Sequence, residues 1–160
     1  MILQSLRLVF TIVVYIAFAS LAHAQDTDGT WRLVMRKLPD GTVQTPPTVH
    51  GMFSIKNGVN QIIVFAPTPS GKPGALSQIS KWEWSESEVA VTPILTVFDD
   101  GSGKPAIYTT GGETKRMPVS REGNRVSYQH PIDPPFVVWE GDKLTATLEG
   151  VFADYWEKVQ

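Results

Sequence analysis

The chain has 160 residues with 14 basic and 16 acidic side chains, a net charge of −2 and no cysteine. Nucleic-acid binding needs an excess of basic residues, whereas this chain has slightly more acidic than basic ones. No nucleic-acid partner is therefore expected. Without cysteine, disulfides and thiolate metal sites are excluded.

Residues 1–24 have the three parts of a secretory signal peptide. Arg7 gives the first part a positive charge, residues 8–21 are almost entirely apolar, and small residues lead to a cleavage position after Ala24. A membrane-spanning helix needs about 20 apolar residues, and this run is shorter. We therefore predict a periplasmic or secreted domain of residues 25–160 with no stable membrane anchor after cleavage.

The remainder of the chain consists of short runs rich in Val, Ile, Thr and aromatic residues, separated by frequent Gly and Pro. Such spacing is typical of sandwiches and barrels. Residues 131–139, which include three prolines, are predicted to form a stiff apolar flap. The predicted strands are residues 31–37, 49–56, 60–66, 77–83 or 77–85, 88–98 with a bend at Pro93, 106–110, 115–121, 125–130, 143–149 and 151–159.

The patterns within these strands lead to specific expectations. Alternation in the first strand places Trp31 on one face and Arg36 on the other. Asn57-Gly58 predicts a two-residue type I′ hairpin, because both residues tolerate positive φ. The continuous apolar run of residues 60–66 predicts burial on both faces. About eight to ten antiparallel strands then indicate a single up-and-down β-barrel, since closure leaves no exposed edges.

Both ends of the predicted domain carry a family resemblance. Gly-Thr-Trp at residues 29–31 opens the first strand, and Tyr-Trp-Glu-Lys-Val at residues 155–159 closes the last. This pattern resembles the small exported bacterial type of lipocalin-like (calycin) domain. The resemblance implies that Trp31 plugs one end of the barrel and that Lys158 lies across its ring, although lipocalins usually carry Arg there. Such a cation–π contact contributes roughly 0.5–2 kcal/mol. The alternative is that Trp31 is an ordinary core aromatic.

Catalytic and metal-binding patterns are weak in this sequence. His50 and His130 lie far apart, no Gly-x-Ser-x-Gly motif occurs, and Asp99-Asp100 is typical of a solvated turn. No metal site and no cofactor are expected.

Among the acidic residues, Asp154 is the candidate for a functional role, because in the last strand it shares a face with Trp156. If that face points inward, the carboxylate needs a partner. Arg116, Tyr108 and Tyr128 are the candidates. A structural hydrogen bond, a ligand anchor and a weakly supported role as catalytic acid or base all remain open for Asp154.

The supply of aromatic residues favours a ligand pocket, since such pockets are mostly apolar with a few placed polar groups. We expect the domain to bind a small hydrophobic or amphipathic molecule. Two alternatives stay open: a barrel enzyme that isomerises or cyclises a bound molecule, and an interaction module for another envelope protein. No oligomeric state is predicted. The predicted ligand-binding residues are Phe65, Trp82, Tyr108, Arg116, Tyr128, Trp139 and Asp154.

Overall fold

The computed structural model describes residues 28–68, 71–131 and 135–159. The predicted signal peptide and its cleavage site lie outside these residues. The described residues form strands and turns, and none of them belongs to a helix that could span a membrane. The strands are β1 (Gly29–Lys37), β2 (Val43–Gln44), β3 (His50–Lys56), β4 (Val59–Pro67), β5 (Pro73–Trp84), β6 (Glu88–Asp99), β7 (Ile107–Thr110), β8 (Lys115–Pro118), β9 (Ser120–Glu122), β10 (Arg125–Gln129), β11 (Phe136–Glu140), β12 (Lys143–Leu148) and β13 (Phe152–Lys158).

All thirteen strands belong to one antiparallel sheet that largely follows the order of the chain. The hydrogen-bonded order is β7-β6-β5-β4-β3-β1-β13-β12-β11-β10-β9, while β2 pairs with β1 and β8 pairs with β6. The predicted all-β antiparallel class is confirmed. The strand count exceeds eight to ten because β2 and β11 were not predicted as strands and the predicted strand of residues 115–121 is divided into β8 and β9. The pairing order of the described strands has two ends, so a closed barrel is not confirmed.

The sheet curls so that its two halves face each other across one core. The ring centroids of Trp31 and Trp139 lie 4.8 Å apart, and those of Trp82 and Tyr128 lie 6.2 Å apart. Trp82 is on β5 and Tyr128 is on β10, which are far apart in the order of the sheet. Contacts between such distant strands bury one face of the sheet and leave the other exposed.

Local turn chemistry accounts for the hairpin between β3 and β4. Asn57 and Gly58 have φ angles of 52° and 72°, as a type I′ turn requires, and Lys56 pairs with Val59 across the loop. This predicted hairpin is confirmed. Further along the chain, the register of β6 with β5 shifts by one residue next to Pro93, at the position of the predicted bend.

Two predictions about strands are wrong. Phe136–Glu140 is strand β11 and not part of a flap, with Val137 and Trp139 buried. The prolines restrict the backbone only up to Pro135, and the following residues alternate as a strand does. The run in β4 is covered on one face only: Phe65 is 45% exposed, since no described strand packs on the outer face of the sheet there.

The predicted facing of Arg36 is also wrong, because β1 contains a bulge. Its register with β13 shifts between Leu33 and Met35. An extra residue on one strand turns the following side chains to the opposite face. Trp31 and Leu33 are buried before the bulge, and Arg36 faces the same interior after it.

Candidate functional site

A pocket of about 620 Å³ opens between the two halves of the curled sheet. Its described lining comes from strands β1, β3 to β6 and β10 to β13. Ile62, Val64 and Ala66 contribute aliphatic side chains from β4, since they alternate with the outward residues of that strand. The pocket is therefore enclosed by the same inward faces that form the core.

A layer of large aromatic side chains closes one end of the pocket. Trp156 pairs in register with Leu33 on one side and with Leu144 on the other, and Leu144 pairs with Trp139. Phe53 packs on this layer, with its ring centroid 5.6 Å from that of Trp139. These side chains form a solid floor because their rings interlock at tilted and edge-on angles.

Trp31 and Lys158 lie beside this aromatic layer. The two residues are partners in the pairing of β1 with β13, and Lys158 Nζ lies 5.5 Å from the centroid of the Trp31 ring. Gly29 leaves room for both, since a Cβ there would lie 2.7 Å from Lys158 Cε. This separation is within the range of a cation–π contact.

The next row of paired residues forms the wall of the pocket above the aromatic layer. Arg36 pairs with Asp154, Asp154 with Ala146, Ala146 with Val137, and Val137 with Tyr128. All five line the pocket. Register therefore places one charged pair in a row that is otherwise aliphatic and aromatic.

The charged pair is bidentate and almost completely buried. Arg36 Nε donates to Asp154 Oδ1 at 2.6 Å, and Arg36 Nη2 donates to Oδ2 at 2.7 Å. The two side chains are 12% and 4% exposed. On its other side, Arg36 Cζ lies 4.3 Å from the centroid of the Phe152 ring. This geometry holds the guanidinium in one orientation at the wall of the pocket.

Burial affects the protonation of the two acidic side chains in this row, Asp154 and Tyr128. Burial raises the pKa of Asp154, while the hydrogen bonds and charge of Arg36 act in the opposite direction. Burial also raises the pKa of Tyr128 far above its ordinary value, and the hydrogen bond that Trp139 Nε1 donates to its hydroxyl opposes this. Tyr128 is therefore a neutral hydroxyl at any physiological pH.

A chain of buried polar groups supports the opposite wall. Trp82 Nε1 donates to Ser80 Oγ at 2.8 Å, and Ser80 Oγ donates to Asn60 Oδ1 at 3.3 Å. The Asn60 amide then donates to the carbonyl of Ser54 at 3.2 Å. Because these groups satisfy one another, Trp82 and Asn60 are held in fixed positions where they line the pocket.

Four of the seven predicted ligand-binding residues lie inside the curled sheet. Trp82, Tyr128 and Asp154 line the pocket. Trp139 is buried in the aromatic layer below it.

The other three predicted ligand-binding residues lie outside the described lining. Phe65 and Tyr108 are 45% and 72% exposed, and Arg116 forms a surface ion pair with Glu88. Neither Arg116 nor a tyrosine is the partner of Asp154, so that prediction is wrong. Sequence reasoning missed Arg36, although the adjacency of the first and last strands was a signal that a basic residue of β1 could reach Asp154.

The described residues contain no group of three or more His, Cys, Asp or Glu side chains placed to hold a metal ion. Comparisons with protein-family models, characterised proteins and solved structures returned no match.

Proposed function

We propose that residues 25–160 form an exported lipocalin-like domain that binds a small hydrophobic or amphipathic molecule in the pocket. The pocket itself is the observation that carries this proposal. Its volume of about 620 Å³ lies within the range of roughly 300–1,000 Å³ that is usual for small-molecule sites. Its lining also has the composition of such sites, with aliphatic and aromatic side chains around one buried charged pair.

The lipocalin-like barrel is part of the same proposal, and the segment from β8 to β9 supports it. β8 pairs with β6, β9 pairs with β10, and only Val119 separates the two strands. Val119 N donates to the carbonyl of Ser87 at 2.8 Å, and the Arg121 guanidinium donates to the carbonyls of Ser85 and Glu86 at 3.1 Å. One bent segment thereby connects the two ends of the sheet, while Trp31 and Lys158 close one end of the barrel.

The geometry favours binding over the two alternatives. An interaction module would be packed throughout its interior, whereas this domain has a pocket. A barrel enzyme that used Asp154 would need a carboxylate free to exchange a proton. Both oxygens of Asp154 accept hydrogen bonds from Arg36, which supports an anchoring role instead.

Tryptophan fluorescence tests the proposal directly, because Trp82 and Trp156 line the pocket. The purified protein is titrated with a panel of alkyl and aromatic ligands, and we expect saturable quenching or a spectral shift. Ala146→Phe places a ring in the pocket wall and should abolish the signal. Thr147→Phe places the same ring on the exposed face of the same strand and should leave it unchanged. The proposal fails if no ligand saturates the signal or if Ala146→Phe binds as well as the unmodified protein.

A further inference from the structure

The charges around the pocket are unfavourable for an anionic ligand. Arg36 is the only arginine or lysine in the described lining, and Asp154 already neutralises it. Asp99 and Asp100 also line the pocket, at the end of β6. Hydrogen bonds from Ser102 lower the pKa of Asp100, so its carboxylate is ionised at neutral pH. An anion entering the pocket would therefore meet further negative charge and no unpaired Arg or Lys.

Arg36 nevertheless retains hydrogen-bonding capacity. A guanidinium has five N–H donors, and Asp154 uses one on Nε and one on Nη2. Within the part of the chain that the structure describes, Arg36 Nη1 donates to no residue, while the Arg36 side chain lines the pocket. This nitrogen is not among the fully buried polar atoms that lack a partner, so it remains accessible to an acceptor oxygen on a ligand. Such a bond would be strong because its donor is charged.

We infer that the ligand is an uncharged amphiphile whose hydroxyl, ester or amide oxygen accepts a hydrogen bond from Arg36. This inference rests on the binding function proposed above and specifies the chemistry of its ligand. A carboxylate could approach Arg36 only beside Asp154 or by displacing it, which would leave Asp154 buried without its partner. An ammonium group at the same position would be repelled by the guanidinium and has no acceptor for its N–H groups, even though Asp99 and Asp100 attract a cation elsewhere in the pocket. An uncharged acceptor gains the hydrogen bond without either cost.

The test compares ligands that share one alkyl chain and differ in the head group. Decanol, methyl decanoate, decanoate and decylammonium are titrated into the purified protein at pH 7, below their aggregation concentrations. We expect the two uncharged ligands to bind roughly tenfold or more tightly than the two ions. A tenfold change in affinity corresponds to the lower end of the free energy of one hydrogen bond to a charged group. Equal or tighter binding of decanoate or decylammonium overturns the inference.

A double variant assigns the preference to the charged pair. Arg36→Met with Asp154→Leu removes both charges together, so no unpaired ion is left in the wall. We expect decanol to bind roughly tenfold more weakly to this variant, while circular dichroism shows a retained fold. Lys81→Met with Glu83→Leu removes an exposed ion pair of β5 in the same way and should leave binding unchanged.

The outcomes separate this inference from the proposed function. If none of the four ligands binds while the protein is folded, the binding function itself fails. If they bind without preference for the uncharged head groups, only the present inference fails. A double variant that keeps the full affinity for decanol would show that Arg36 is not the donor.

Discussion

Replacing Asp154 by leucine would leave Arg36 as a charged group without its partner inside the pocket wall. The Arg36 side chain is only 12% exposed, and its two hydrogen bonds to Asp154 measure 2.6 and 2.7 Å. Water can solvate the guanidinium only slightly at this position. Breaking a buried pair in this way typically costs about 3–5 kcal/mol of unfolding free energy.

The double variant Arg36→Met/Asp154→Leu should behave very differently from the single one. It replaces both charges by apolar side chains of similar size, which in other buried pairs has been neutral or stabilising by about 1–4 kcal/mol. We therefore expect the double variant to be at least as stable as the unmodified protein. The large loss in Asp154→Leu would then come from the unpaired guanidinium and not from the loss of a favourable contact.

Urea denaturation followed by tryptophan fluorescence measures these differences, provided that the slope of the transition is unchanged. The Lys81→Met/Glu83→Leu variant serves as the control, because that pair is exposed and solvent screens its attraction. A loss below about 1 kcal/mol in Asp154→Leu would refute the reasoning, since it would mean that Arg36 reaches water when its partner is absent.

Three further predictions concern packing at the floor of the pocket, the pH dependence of stability and the pKa of Asp154. Gly51→Ala should lower the unfolding free energy by about 1–3 kcal/mol in the same urea assay, because the added Cβ would lie 2.6 Å from Trp156 Cη2; an unchanged midpoint would show that the ring can move aside. The pKa of Asp154 in the folded protein is raised above its ordinary value of 3.8. The folded state therefore holds the Asp154 proton more tightly than the unfolded state does. The stabilisation from this difference is fully present below pH 3.8 and is lost as pH rises through the pKa of the folded protein. Asp154→Asn should lack this decline. Arg36→Met should raise the pKa of Asp154 further in an NMR titration, since Arg36 supplies the opposing influences.

Much of the architecture follows from local patterns in the sequence. The alternation of apolar and polar residues marks most of the strands, and Asn57-Gly58 marks the hairpin between β3 and β4, because turn conformation and side-chain facing depend on neighbouring residues. The same local alternation placed Asp154 and Trp156 on one face of the last strand, and both line the pocket. The sequence alone was therefore enough for the all-β antiparallel class and for one member of the charged pair.

The pairing of distant strands decided the rest of the site. The bulge in β1 turns Arg36 inward, and it is defined only by the register between β1 and β13, whose paired residues Arg36 and Asp154 are 118 positions apart in the chain. Phe65 and Tyr108 are exposed because, among the residues that the structure describes, no strand covers that face of the sheet, which no local pattern reveals. Sequence alternation gives the relative facing of neighbours within an uninterrupted strand, whereas bulges and coverage depend on what the strand pairs with. For that reason only the tertiary structure identifies Arg36 as the partner of Asp154.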